Sequence, residues 1–208
     1  RIYSDIHLDF DVPKKGFDFS MLWFPDELET DKETTLVLAG DLWHAKKPYD
    51  YHEQSWLKEL SKKFQYVLFI LGNHDFWGGN FPKEYKNYKE VIKEQNLENV
   101  FLLQDSIVEI GNNKFIGGTL WTDYKGGDPI AMNLAENGLM KDYKYIKYGV
   151  AYQRIRAKHL LGAHIKTKNF IFLKIFKSAI KTLSSNSPGI EVPTAGITSK
   201  KDFLSEEK

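Results

Sequence analysis

The chain has 208 residues, enough for one domain with a sizeable core, and its 27% charged and 42% hydrophobic residues are typical of a folded globular protein. The formal net charge is +1, which gives no electrostatic reason to expect a nucleic-acid or membrane partner, although a nucleic acid stays open as a substrate. Because the chain has no cysteine, any metal must be held by oxygen and imidazole ligands. No apolar run reaches about 18 residues and no signal peptide is evident, so we expect a soluble, cytoplasmic protein.

The amino-terminal half alternates predicted strands and helices. Apolar runs at residues 1–4, 34–39 and 66–71 predict three buried strands, and the chain starts so close to the first that we expect a short amino-terminal piece to be missing. Asp50 and Glu53 have the spacing of a capping box for a helix between the second and third strands. The predicted apolar face of that helix is Trp56, Leu57, Leu60 and Phe64.

A second helix is expected from about Pro82, because proline suits a first helical turn. Its predicted buried stripe is Tyr85, Tyr88, Val91 and Ile92. The alternation of strands and helices favours a parallel sheet. Residues 8–33 form a polar and aromatic stretch long enough to predict a functional loop.

The carboxyl-terminal half has a different pattern. Short strands are predicted at residues 100–103, 106–110 and 114–121, the last two joined by a hairpin turn. Short helical pieces are expected between residues 128 and 150, and one long helix or two from 151 to about 183, with lysines and arginines on a solvated face. We therefore predict one domain over residues 1–183, followed by an irregular or disordered tail over 184–208.

Polar side chains follow each of the three buried strands. Asp5 and His7 come after the first, Asp41 after the second, and Asn73 and His74 after the third. The carboxyl ends of strands in open α/β sheets are where ligands bind. Carboxylate, imidazole and amide groups are ligands of divalent metals, and two metals about 3.5–4 Å apart can clamp both oxygens of a phosphoryl transfer. Singly each motif is commonly a turn, so the prediction depends on the ordered trio.

Asp75 follows His74 directly and is predicted to orient its ring. A histidine held in this way suits a group that protonates a leaving oxygen. We therefore predict His74 and Asp75 as the catalytic residues.

Three of these stretches resemble, in order and spacing, the first three signatures of the calcineurin-like metallophosphoesterases. They are Asp5-Ile6-His7, Gly40-Asp41 and Gly72-Asn73-His74-Asp75. Two more, Gly118-Thr119-Leu120-Trp121-Thr122-Asp123 and Met140-Lys141-Asp142-Tyr143, resemble a bacterial and phage branch of that family. The likeness covers roughly residues 1–165, and Gly-Asn-His-Asp is its most specific part.

The resemblance implies an α/β (α+β) fold in which a sandwich of mixed β-sheets is flanked by helices. It also implies hydrolysis of a phosphate mono- or diester by a metal-held hydroxide, with two divalent ions such as Mn, Fe, Zn or Ni. By the same resemblance, Asp5, His7 and Asp41 hold the first metal, Asp41 bridges, Asn73 binds the second metal, and His74 is catalytic.

The sequence departs from that family near its carboxyl terminus. The family has three further histidines, in a Thr-His-His-like element and a Gly-His-x-His element, whereas this chain has none after His164. We expect an incomplete carboxyl-terminal part with exposed apolar sheet surface. One hypothesis is that residues 183–187 are read out of frame, in which case an alternative register of the gene encodes the lost strand.

The remaining histidines receive lesser roles. His44 is predicted to line the pocket, His52 to lie on a helix surface, and His159 and His164 to be structural. Two functions stay open: a metal-dependent phosphoesterase, and a catalytically inactive remnant or interaction module of the same fold. The oligomeric state is not predicted.

Overall fold

A computed structural model describes residues 1–8, 23–44 and 51–186 of the chain. The chain divides into two compact units, Arg1–Ile171 and a second that begins at Phe172. All the strands of the described residues lie in the first unit, where three separate sheets are accompanied by helices. The mixed α/β class predicted from the sequence is therefore confirmed.

A parallel sheet brings the predicted motifs to one edge. Its strands, in spatial order, are β1 (Ile2–Tyr3), β2 (Thr35–Ala39), β3 (Tyr66–Ile70) and β5 (Val100–Leu102). All three pairings are parallel. The first three strands agree with the prediction. The strand at 100–103 was predicted together with the later short strands, but it continues this parallel sheet instead. It can do so because the helix before it supplies the crossover that parallel pairing needs.

Helices α1 (Tyr51–Lys63) and α2 (Lys83–Glu94) provide the crossovers of this sheet. The predicted face of α1 and its continuation is confirmed, since its four apolar residues are at most 2% exposed. In α2, Tyr88 and Val91 are buried, and the Tyr88 ring lies 5.9 Å from the ring of Phe69 in β3. Burial of each such side chain stabilises the fold by about 1.5–3 kcal/mol. Asp50, and with it the predicted capping box, lies outside the described residues.

The two faces of the parallel sheet differ in their burial. Leu36, Leu38 and Val67 are fully buried, whereas Ile2 is 75% exposed on the alternate face. On that alternate face a cavity of about 230 Å³ separates the sheet from Phe115 of the following hairpin. This face of the sheet is therefore only partly covered by the described residues.

The other strands form two small sheets. β6 (Ser106–Ile110) and β7 (Asn113–Gly117) form the predicted antiparallel hairpin. The last strand was predicted to reach residue 121 but ends at Gly117, because Thr119 leaves the hairpin and its hydroxyl donates to the Leu71 carbonyl. β4 (Asn80–Phe81), β8 (Lys147–Tyr148) and β9 (Gln153–Arg154) form a mixed sheet that the sequence did not predict. Strands of two residues are too short to show periodicity.

Short helices and one long helix complete the described chain. α3 (Tyr124–Gly127) precedes the range in which short helical pieces were predicted. α4 (Pro129–Leu134), a π-helix at Ala135–Leu139 and α5 (Asp142–Tyr145) are the predicted pieces. α6 (Ala157–Asn186) is one continuous helix. It begins later than predicted because β9 takes residues 153–154, and it extends past residue 184, where an irregular tail was predicted. Among the described helices, none combines the length and the apolar character needed to cross a membrane.

Candidate metal centre

The segments after β1 and β2 continue side by side beyond the ends of the strands. The backbone N–H of Asp5 donates to the Gly40 carbonyl at 3.1 Å, and that of His7 donates to the Asp41 carbonyl at 3.0 Å. Leu8 continues the pattern by donating to Leu42 at 2.9 Å. This extended pairing brings the Asp-x-His and Gly-Asp motifs into contact, although they are far apart in the sequence.

Three candidate ligands have left-handed backbone conformations. The φ angles are +55° at Asp5, +50° at His7 and +54° at Asp41. This region costs a residue with a side chain roughly 1–2 kcal/mol. Such strain persists only where the surrounding structure holds it, and it concentrates at functional sites. Three strained residues at adjoining strand ends therefore support a function at this edge of the sheet.

Asp5, His7 and Asp41 form a group suited to a cation. One ligand atom from each residue lies within 4.8 Å of the others, and His7 Nε2 is 3.9 Å from Asp41 Oδ2. Asp5 is exposed and the other two are half-buried, so a cation can reach the group from solvent. Two carboxylates and an imidazole are appropriate donors for a divalent transition metal. The donor set thus fits the metal that the sequence predicted there.

Glycines allow the close approach of the two loops that carry these motifs. Gly40 has a φ of +92°, and a Cβ there would lie 2.9 Å from the Gly72 nitrogen. A Cβ on Gly72 would lie only 2.0 Å from Asp41 Oδ1. Asp41 Oδ1 also accepts a hydrogen bond from the His74 N–H at 3.0 Å. The β2 and β3 loops are therefore in direct contact around the Asp41 carboxylate.

Asp75 is fully buried beneath this contact. Its two oxygens accept four backbone N–H bonds at 2.7–3.0 Å, from Asp41, Leu42, Trp43 and Gly72. The sequence predicted that this carboxylate orients the His74 ring. Its hydrogen bonds instead connect the backbones of two loops, because successive residues of the short 3-10 turn His74–Phe76 point in different directions.

Asn73 lies on the wall of a cavity of about 460 Å³ that Asp5 and Asp41 also line. Its amide nitrogen Nδ2 donates to Asp142 Oδ1 at 2.9 Å. The same oxygen of Asp142 accepts the indole N–H of Trp77 at 3.0 Å. The structure thus places Asn73 beside the carboxylate group and fixes one end of its amide.

His74 lies among aromatic rings at the edge of the site. Its ring stacks on Trp77 with the centroids 3.7 Å apart and the planes at 24°. Its Nδ1 is 3.3 Å from His44 Nε2, and its ring meets the His7 ring edge-on at 4.5 Å. The ring of His74 is therefore packed against three other rings, while its backbone N–H is held by Asp41.

These observations define an α/β protein with a candidate metal centre at the carboxyl ends of parallel strands. The candidate ligands are two carboxylates and one imidazole. The chain belongs to the calcineurin-like phosphoesterase family, whose family model matches residues 2–164. This family is metal-dependent.

Two similar proteins cover the chain in part. The uncharacterized protein L509 of Acanthamoeba polyphaga mimivirus is 26% identical over 129 residues, which are 59% of this chain and 44% of that protein. The crystal structure of the phosphopantetheinyl hydrolase PptH from Mycobacterium tuberculosis aligns with a TM-score of 0.45 and 15% identity, over 81% of this chain and 61% of that one. The chain thus spans less than two thirds of either protein.

Sequence reasoning missed Trp77 and Asp142 as parts of the site and gave His44 only a lining role. The signal for Asp142 lay in the Met140–Tyr143 stretch, whose resemblance to a branch of the family did not indicate a role for this carboxylate.

The other histidines lie away from this group or outside the description. The ring of His159 stacks on that of Tyr148 with the centroids 3.8 Å apart, and the pKa of its imidazole is lowered, mainly by burial. His164 Nδ1 contacts the Trp121 carbonyl, and the side chain of His52 lies outside the described residues.

Proposed function

We propose that this protein is a metal-dependent phosphoesterase that hydrolyses a phosphate mono- or diester. The observation that supports this proposal is the group of Asp5, His7 and Asp41. These three candidate ligands come together at strained backbone positions in a chain of the calcineurin-like phosphoesterase family. In this proposal the three residues hold one divalent ion, manganese being the first to test, and Asn73 with Asp41 contacts a second. The domain carrying the site is residues 1–183, and the protein is cytoplasmic.

Divalent ions held there would activate a water and neutralise charge on the phosphoryl oxygens. The chain itself contributes the proton for the leaving oxygen. His74 is the donor in this proposal: its Nδ1 contacts His44, and its Nε2 is the ring atom assigned to carry the proton to the substrate.

His44 is the second imidazole that this proposal uses. When His74 is protonated at both ring nitrogens, its Nδ1–H donates to His44 Nε2 and the ring stays aligned. The backbone N–H of His74 is fixed at the same time by Asp41 Oδ1. The catalytic histidine is thereby held from its ring and from its backbone.

A turnover assay with an aryl phosphate monoester and a diester in the presence of Mn²⁺ tests the proposal. We expect hydrolysis that requires the metal and falls at least about 100-fold in Asp41→Ala and in His74→Ala, the range expected when a metal ligand or a general acid is lost. Asp26→Ala, which changes an exposed carboxylate away from the site, is the matched control and should keep full activity.

A second candidate function is an interaction module without catalysis. The observation that favours it is the partly covered face of the parallel sheet, with Ile2 at 75% exposure and an apolar cavity beside it. Large exposed apolar patches mark binding surfaces. Absence of hydrolysis at every Mn²⁺ concentration, from a protein shown to be folded, would favour this candidate over the phosphoesterase.

A further inference from the structure

The amide of Asn73 has two chemically different ends. Its oxygen can bind a cation, whereas its NH2 group repels one. A free amide turned the wrong way around would direct its hydrogens at the metal site. The role of Asn73 in the proposed function therefore depends on something that distinguishes the two ends.

Asp142 distinguishes them. Its Oδ1 lies 2.9 Å from Asn73 Nδ2, and a carboxylate oxygen can accept a hydrogen bond but cannot donate one when ionised. The reversed amide would place two oxygens against each other in a position where Asp142 is only 4% exposed. The cost of such an unmade buried bond favours the observed orientation roughly 5- to 150-fold.

The same oxygen also determines the position of Trp77. The indole N–H donates to Asp142 Oδ1 at 3.0 Å, and the Trp77 ring is the surface on which His74 stacks. One buried carboxylate oxygen is thus connected to the candidate second-metal ligand and, through Trp77, to the candidate proton donor. Asp142 lies 69 residues from Asn73 in the sequence, in the first turn of α5.

We propose that Asp142 is the positioning residue of the site: it turns the Asn73 oxygen toward the second metal and holds Trp77 beneath His74. This inference rests on the proposed function. It goes beyond that function by assigning a role to a residue that touches neither substrate nor metal. Residues that orient metal ligands in this way typically change metal affinity 10–100-fold when they are replaced.

A purely structural role makes a different prediction. Asp142 also begins α5, where its carbonyl accepts the N–H of Ile146 at 2.8 Å. That backbone bond survives replacement of the side chain. If Asp142 only stabilised α5, its loss would lower the melting temperature without a selective effect on the second metal.

Two variants separate these roles. Asp142→Asn keeps an oxygen that can accept from both Asn73 and Trp77, whereas Asp142→Ala removes both acceptors. Mn²⁺ binding, followed by electron paramagnetic resonance of the free ion, gives the number and affinity of sites without any reliance on turnover. The site at Asp5, His7 and Asp41 serves as an internal control for folding.

We expect two Mn²⁺ sites in the unaltered protein; a single site would leave Asn73 without a metal and would overturn the inference. In Asp142→Ala the site that includes Asn73 should lose about 10–100-fold in Mn²⁺ affinity, while the affinity of the other site changes less than about threefold. In Asp142→Asn the Mn²⁺ affinity of both sites should change less than about threefold. Asn73→Ala should weaken the same site as Asp142→Ala, and the double variant should add little to either. Unchanged affinity at both sites in Asp142→Ala would overturn the inference, as would an equal loss at both.

A metal-free measurement tests the contact itself. In a ¹⁵N-correlated NMR spectrum, Asp142→Ala should shift the Trp77 indole signal and speed hydrogen exchange of the Asn73 NH2 group; a Trp77→Phe variant identifies the indole signal. Failure to bind any Mn²⁺ would contradict the proposed function. Two intact sites that do not respond to Asp142→Ala would contradict the positioning role alone.

Discussion

The side chain of Asp75 is hydrogen-bonded to the backbone of Asp41: its Oδ2 accepts a hydrogen bond from the Asp41 N–H at 2.8 Å and another from the Gly72 N–H at 2.7 Å. Its other oxygen accepts from Leu42 and Trp43 at 3.0 and 2.8 Å. One fully buried side chain therefore holds the end of β2 against the end of β3. This contact places the Asp41 carboxylate, on which both proposed metals depend.

Replacement of Asp75 by asparagine should be strongly destabilising although the two side chains have the same shape. Whichever way the amide is turned, its NH2 group faces two backbone N–H donors for which the described residues supply no other acceptor. We expect a loss of at least about 2 kcal/mol in the free energy of unfolding, since each unsatisfied buried donor costs about 1–3 kcal/mol. Urea unfolding measures it, with Asp26→Asn, an exposed position, as the control. A loss no larger than that of the control would contradict the assignment of Asp75 as the link between the loops.

Gly72→Ala should abolish metal binding. The new Cβ would lie 2.0 Å from Asp41 Oδ1 and 2.5 Å from the Asp41 nitrogen, so the carboxylate or the loop must move. We expect Mn²⁺ affinity to fall at least about 100-fold, more than loss of an orienting residue costs. Gly162→Ala is the matched control, because a Cβ there meets nothing within 4 Å and alanine favours a helix by about 0.5–1 kcal/mol. Retained Mn²⁺ affinity in Gly72→Ala would show that the metal does not use Asp41 in this position.

His44→Ala should reduce turnover without affecting metal affinity. His44 Nε2 contacts His74 Nδ1 at 3.3 Å, so its loss frees the ring that donates the proton. We expect kcat to fall about tenfold, the lower end of the effect of orienting residues, while Mn²⁺ affinity changes less than about threefold. The opposite result, weaker Mn²⁺ binding with an unchanged kcat, would identify His44 as a metal ligand instead.

Asp31 should make stability depend on pH under acidic conditions. Burial opposes its ionisation, but the Leu28 N–H at 3.0 Å and the Arg1 guanidinium at 2.8 Å lower the pKa of this carboxyl below its usual 3.8. At pH values between the pKa of Asp31 in the folded protein and its pKa in the unfolded chain, the unfolded chain binds more protons. The free energy of unfolding therefore rises with pH in this range. The contribution of Asp31 is therefore complete above about pH 4 and is lost as the pH falls through the folded pKa.

Asp31→Asn should consequently be less stable than the unaltered protein at pH 7 by about 1–3 kcal/mol, the cost of breaking a buried charged hydrogen bond. The difference should shrink as the pH is lowered below 4. Urea unfolding at pH 7 and at pH 3 measures both values. A difference that grows toward acid would show that the pKa of Asp31 is raised in the folded state, contrary to this assignment.

The sequence predicted the parts of this structure that depend on local pattern. Three apolar strands each ended in polar residues, and parallel strands place such ends together, so Asp5, His7 and Asp41 were expected near one another. The hairpin and the apolar face of α1 followed from short-range periodicity in the same way. Asp75 was assigned to the wrong neighbour because adjacency in sequence was taken for adjacency in space, whereas the 3-10 turn directs its side chain inward.

Contacts between distant segments were not predictable from one sequence. Asp142 meets Asn73 across 69 residues, and neither its spacing nor its surroundings indicate a buried hydrogen bond. The small sheet of β4, β8 and β9 was missed because each strand has two residues and depends on tertiary pairing. Local pattern thus located the candidate ligands, and only the fold showed what holds them.

The most direct test of the account is a Mn²⁺ binding isotherm of the unaltered protein beside that of Asp41→Ala. Asp41 belongs to the three-residue group and contacts the second ligand loop through the His74 N–H. We predict saturable binding to the unaltered protein and loss of binding at both sites in Asp41→Ala, with the melting temperature measured to confirm folding. No saturable binding, or binding that Asp41→Ala leaves unchanged, would contradict the assignment of this group as a metal centre.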